Sequence, residues 1–91
     1  MNEDGKKDYG ILIAQKAERL ITAIYLVTDL IDNKEPLKSA IRTNSIVLLS
    51  SINTLAQPEV KDRITEYKVS LKAVTEIISL LHVGRSAGIA A

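Results

Sequence analysis

Apolar residues recur along this chain at the alternating three- and four-residue spacing of helices that bury one face. The first stretch steps through Ile13, Ala17, Leu20, Ile24, Val27 and Ile31. The second runs through Leu37, Ile41, Asn44, Leu48, Ile52 and Leu55, and the third through Val60, Ile64, Tyr67, Leu71, Val74, Ile78 and Leu81. This is the spacing of the inward positions of helical bundles and coiled coils. No strand-like alternation competes with it. The pattern predicts an all-α chain of three antiparallel amphipathic helices at about 9–32, 35–56 and 58–83. Residues 1–8 then form a flexible N-terminal segment, 9–83 the bundle domain, and 84–91 a tail or the start of a further helix.

The breaks between ladders carry helix-ending chemistry. Asp32-Asn33-Lys34-Glu35-Pro36 separates the first two. Asp32 or Asn33 is suited to cap the free N–H groups of the second helix, and Glu35 to complement its dipole. Gln57-Pro58-Glu59 separates the second from the third, with Pro58 suited to a first helical position. Gly84 is the expected left-handed residue closing the third helix. Both connections are short, so neighbours should run antiparallel.

The middle helix has an unusual outer face. The sixteen residues from Thr43 to Pro58 carry no charge. That run is too short and too polar to span a membrane, which takes about 20 mostly apolar residues. It also lacks the Lys and Glu of an ordinary solvated face. Away from its ladder it turns Thr43, Ile46, Ser50, Asn53 and Gln57 outward at about 100° per residue. The third helix likewise turns Val69, Ala73, Ile77 and Leu80 away from its ladder. On the first, Leu12, Ala23 and Leu30 lie on one flank and Ala14, Ile21 and Tyr25 on the other. One three-helix core cannot cover this much apolar surface. Each large aliphatic residue left wet forfeits roughly 1.5–3 kcal/mol, and exposed patches of this kind mark interfaces. The sequence therefore points to a bundle completed by oligomerisation, with a dimer favoured, or by a missing fourth helix. The expected contact residues are Thr43, Ile46, Ser50, Asn53, Val69, Ala73 and Leu80.

Composition narrows the alternatives. A chain of 91 residues makes at most one domain. With three Tyr and neither Phe nor Trp, its core must be aliphatic. The net charge of +1 favours neither nucleic acid nor an acidic partner. The absence of Cys excludes disulfides and thiolate metal sites and suits a cytoplasmic setting. The polar opening MNEDGKKDYG does not read as a secretory signal.

Candidate chemistry is sparse. Gly84-Arg85-Ser86-Ala87-Gly88 matches the nucleophile-elbow spacing, but a helix precedes it and neither acid nor His follows. His82, the single His, has no ligand or base partner in sequence and suits a helix C-terminus. The acids Asp29, Asp32 and Glu35, and Glu59, Asp62 and Glu66, lack the Glu-x-x-His motif of bundle metal sites. They are read as helix-end charges, with Glu59–Arg63 and Lys72–Glu76 as i, i+4 pairs. Lys34, Lys38 and Arg42 form a basic stripe at the start of the second helix, and Lys61, Lys68 and Lys72 another on the third. The first is the candidate phosphate contact. The aromatic residues that would stack bases are missing, so nucleic acid is the weaker reading. Asn44, inside the second ladder, either fixes register or bonds a nearby carbonyl. No catalytic, cofactor or metal site is expected.

The segments Lys16-Ala17-Glu18-Arg19-Leu20, Ala23-Ile24-Tyr25-Leu26-Val27-Thr28-Asp29, Glu35-Pro36-Leu37-Lys38 and Ile41-Arg42 resemble a family of small uncharacterised helical-bundle proteins of bacterial genomes. The likeness covers roughly residues 13 to 83. It implies a bundle with a further helix beyond the third and brings no activity with it. A fainter likeness links the chain to the four-helix proteins of 23S rRNA intervening sequences, whose Ala-Asn-Ile-Ala-Glu-Gly-type segment it lacks. The expected function is non-enzymatic: self-association or helix-mediated protein binding. The alternative is a nucleic-acid-associated helical protein using the basic stripe on the second helix.

Overall fold

The computed structural model describes residues 3–89, with side chains described from Tyr9 onward. It is all-α: α1 spans Glu3–Thr28, α2 Pro36–Leu55 and α3 Arg63–Ser86. The middle helix lies where the ladder and Pro36 place it. The outer two are shifted. α1 begins at Glu3 rather than at residue 9, so most of the segment expected to be flexible is helical. It ends at Thr28, and Ile31 folds back to be 3 % exposed. α3 begins five residues later than expected and runs three further.

The caps explain these bounds. Neither Asp32 nor Asn33 caps α2. Glu35 does, its Oε1 accepting from the Leu37 amide at 3.3 Å, with Pro36 supplying a first residue that needs no partner. Asp32 instead closes the preceding turn, its Oδ1 accepting from the Lys34 amide at 2.8 Å. Pro58 lies in the connection and does not open α3. Asp62 caps it, accepting from the Thr65 amide at 3.0 Å and from the Thr65 hydroxyl at 2.7 Å. At the far end Gly84 is buried inside α3 and closes nothing. Gly88, at φ 72°, takes the left-handed position. The Ile89 amide reaches the Gly84 carbonyl at 2.8 Å and the Gly88 amide that of Arg85 at 3.1 Å, a Schellman closure. Residues 84–86, expected in the tail, are thus the last of α3.

α2 sits between its neighbours and packs against both. α1 and α3 do not meet backbone to backbone: no Cα of one lies within 8 Å of a Cα of the other among the described residues. α1 approaches α2 through small residues. A Cβ on Gly10 would lie 2.7 Å from the Ala56 carbonyl oxygen. At the other end the Lys38 ammonium reaches the Ile31 carbonyl, so the two helices are antiparallel. The core cluster is Leu48 of α2 with Ala73 and Ile77 of α3, joined by half-buried Ile24, Ile52, Val74 and Leu81.

This V-shaped layer is open. Its principal extents are 49 × 22 × 18 Å and its radius of gyration is 15.0 Å, against about 12 Å for a compact chain of this length. It exposes 6661 Å², where a folded monomer of 10.0 kDa exposes about 5,200 Å².

Candidate functional site

The openness has a specific cause in the register of the outer helices. α1 does not turn its expected ladder to α2. The face it buries is Gly10, Ala17, Ile21 and Thr28, with Ala14 and Tyr25 half-buried on the same side. Leu20 and Val27, from the expected ladder, stay 52 % and 58 % exposed. α3 does the same. Its inner face is Ala73, Ile77 and Gly84, flanked by half-buried Glu66, Ser70 and Leu80. Ile64, Tyr67, Leu71 and Ile78 are 69 %, 61 %, 68 % and 51 % exposed. The reason is steric. Close helix approach favours small side chains at the contact, so Gly10, Ala14, Ala17 and Ala73 take the inner lines and the bulkier ladders are displaced to one flank.

These displaced ladders face the same space. At about 100° per residue, Ile24 lies on the flank of α1 that carries Ile13, Leu20 and Val27. Val74 and Leu81 lie on the flank of α3 that carries Tyr67, Leu71 and Ile78. Ile24, Val74 and Leu81 all pack on the one cluster of Leu48, Ala73 and Ile77, so the two flanks turn toward each other. The result is a trough with α1 and α3 as walls and the core cluster as its floor. Each wall runs fifteen residues, Ile13 to Val27 and Ile64 to Ile78, or about 21 Å from first to last at a rise of about 1.5 Å per residue. The large wall residues are aliphatic apart from Tyr67, and the exposed Lys16 lies in line with Val27 on the flank of α1.

The contact residues expected from sequence lie on the opposite, convex side, and one of them is misplaced. Thr43, Ile46, Ser50 and Asn53 are exposed on the back of α2, and Val69 on α3. Leu80 is half-buried. Ala73 is 2 % exposed and belongs to the core, as does Ile77 at 4 %, because α3 is turned by about one residue from the expected register. Neither can meet a second chain. Asn44 is resolved: its Nδ2 donates to the Ala40 carbonyl of its own helix at 2.9 Å.

The basic stripe is also corrected. Only Lys34 is exposed. Lys38 is buried, its ammonium donating to the Ile31 carbonyl at 2.9 Å and to Asn33 Oδ1 at 2.7 Å. Arg42 donates through Nε to Thr28 Oγ1 at 3.1 Å and through Nη2 to the Tyr25 carbonyl at 3.0 Å. Its guanidinium stands 4.5 Å from the Tyr25 ring centroid and 3.8 Å from Asp29 Oδ1. Thr28 is fully buried, and its hydroxyl donates onward to the Ile24 carbonyl at 2.7 Å. Two cations from α2 thus finish the C-terminal end of α1 and the turn after it. The sequence carried a signal for this: the last turn of α1 has no basic residue of its own, so its carbonyl end draws cations from elsewhere.

Beyond the trough the surface offers less. An open depression at the α2–α3 connection is lined by Thr54, Gln57, Glu59, Val60, Lys61, Asp62, Thr65 and Glu66. Asp62 there is held below the ordinary value of 3.8, mainly because its carboxylate accepts the Thr65 amide and then the Thr65 hydroxyl. Arg63 does not pair with Glu59. It donates to the Leu55 and Gln57 carbonyls at 3.0 and 3.3 Å, closing α2. Among the described residues no group of three or more His, Cys, Asp or Glu is placed to hold a metal ion. No described helix is long and apolar enough to cross a membrane. His82 is exposed on α3.

No family model, curated protein or solved structure matches the chain.

Proposed function

We propose that this is a non-enzymatic helical-bundle protein that acts by self-association, as a homodimer. The observation that carries this reading is the surplus of exposed surface. The folded chain exposes 6661 Å², roughly 1,400 Å² beyond a compact monomer of its mass. Two copies covering that surplus bury about 2,800 Å² together, within the range of obligate homodimers. The apolar character of what is exposed supports the same reading, since homodimer interfaces are the most apolar class. Lys38 and Arg42 donate to oxygens of α1 and the turn after it, which leaves a nucleic-acid role with Lys34 alone on that stripe. A cytoplasmic setting fits a chain without Cys.

Sedimentation equilibrium across about three decades of protein concentration tests the proposal, because a dimer of this kind dissociates by mass action. A species of twice the chain mass, giving way to the monomer on dilution, is the expected result. A single species at the chain mass throughout removes self-association.

A further inference from the structure

We infer that the dimer is built trough to trough: the concave flanks of α1 and α3 of one copy close over those of a second, and the charge-free back of α2 stays free. This rests on the self-association reading and gives it a face. Three observations select the concave side. Its walls hold the most exposed bulky residues that lie opposite one another, Leu20 and Val27 on α1 against Tyr67, Leu71 and Ile78 on α3. The back of α2 offers Ile46 and, beside it, Val47 among small polar residues, so desolvating it returns little. The trough is also where the core is unfinished, for Ile24, Ile52, Val74 and Leu81 pack on Leu48, Ala73 and Ile77 yet remain only half-buried.

Area and chemistry select a second copy as the occupant. The surplus of roughly 1,400 Å² over the whole chain is of the size that each partner of a stable homodimer covers, and walls about 21 Å long on two helices offer an apolar surface for that contact. Walls whose exposed bulky residues are Ile, Leu, Val and Tyr ask for an apolar counterpart, and the same trough supplies one. Because the patch meets itself, the contact is isologous and closes at two copies. Joining the two V-shaped layers gives a six-helix bundle whose centre is the pair of Leu48–Ala73–Ile77 cores.

Charge substitutions on the two faces test this. Leu20→Lys and Leu71→Lys alter the concave walls, and Ile46→Glu the back of α2. All three positions are more than half exposed, so each variant should keep its monomer fold, checked by helical circular dichroism. The expected result is a rise of about a hundredfold or more in dimer dissociation constant for Leu20→Lys and Leu71→Lys, since each buries an unpaired charge twice in a symmetric interface. Ile46→Glu is expected to match the unsubstituted chain within about threefold. If Ile46→Glu dissociates the dimer while Leu71→Lys and Leu20→Lys do not, self-association stands and the trough is overturned as its face. If the unsubstituted chain is monomeric at every concentration, the second copy is overturned as occupant, and self-association falls with it. A dimer indifferent to all three also overturns the trough.

Discussion

At the scale of single residues, the strongest polar site holds the fold together rather than serving a ligand. Arg42 donates to a buried hydroxyl and a carbonyl, and Thr28 relays to a second carbonyl at the end of α1. Removing the guanidinium takes a donor from the buried Thr28 hydroxyl oxygen and leaves the Tyr25 carbonyl only the longer Thr28 hydroxyl contact of 3.2 Å. Arg42→Ala should therefore lower unfolding stability by about 1–3 kcal/mol, read from the urea midpoint. Arg42→Lys should recover only part, since an ammonium cannot span both acceptors and the Tyr25 face as a planar fork does. A loss no larger than that of an exposed Lys34→Ala control would show that this corner contributes nothing. The cap of α3 makes a pH-dependent contribution. Asp62 titrates below 3.8 in the folded chain because the Thr65 amide and hydroxyl donate to its carboxylate. A depressed folded pKa means a contribution fully present above the unfolded value and lost as pH falls through the folded one. Asp62→Asn keeps an acceptor for the amide but has no proton to gain. Its melting temperature should therefore fall less than that of the unsubstituted chain between pH 5 and pH 2, and parallel acid-limb curves would contradict the role.

At the scale of helices, the sequence told which segments are helical more plainly than which way they face. α2 was legible in both respects: Pro36 fixes its start, and Leu37, Ile41 and Leu48 are buried as their spacing demands. α1 and α3 were not, because each carries two overlapping ladders about one residue apart. On α1 the bulky ladder through Leu20 and Val27 competes with Gly10, Ala14, Ala17 and Ile21, and the smaller residues win the contact because they let the backbones approach. Hydrophobicity alone ranks the ladders in the wrong order. The contact that decides it is Gly10 against Ala56. A Cβ there would lie 2.7 Å from the carbonyl oxygen of Ala56, the residue that caps the end of α2, and backbone cannot swing aside as a side-chain tip can. Gly10→Ala gains helix propensity worth about 1 kcal/mol, yet should still destabilise the chain, by about 1–3 kcal/mol in net, through this overpacking. A variant as stable as the parent, or more stable, would mean that α1 does not approach α2 this closely. The same register slip accounts for Ala73, expected at the contact and found in the core. Ala73 was expected outside because Val74 and Leu71 were expected inside. The charge-free stretch of α2 was legible as unusual, and part of its neutrality has a packing cause. Much of its neutrality belongs to positions that α1 and α3 cover, among them Ser45 and Ser51, both buried, and only its back remains for solvent.

At the scale of the whole molecule, a V of three helices with an apolar interior has a stability that depends on what closes it. One copy alone assembles its core from a small cluster, Leu48, Ala73 and Ile77 with four half-buried neighbours, while fully half of each outer helix's bulky ladder faces the trough. Folding and association should then be linked, a folded monomer of modest stability being stabilised by mass action as two copies join. That coupling has a signature independent of any substitution. For such an equilibrium each tenfold rise in chain concentration stabilises the dimer by about 1.4 kcal/mol, so the urea midpoint should climb with concentration while the slope of the transition holds constant. A chain stable on its own has a midpoint fixed by its sequence and indifferent to dilution. Unfolding curves at 1 and 100 times one protein concentration, followed by helical circular dichroism, separate the two cases. The expected outcome is a higher midpoint at the higher concentration for the unsubstituted chain and for Ile46→Glu. For Leu71→Lys the midpoint should be low at both concentrations, because the exposed walls then have no partner to cover them.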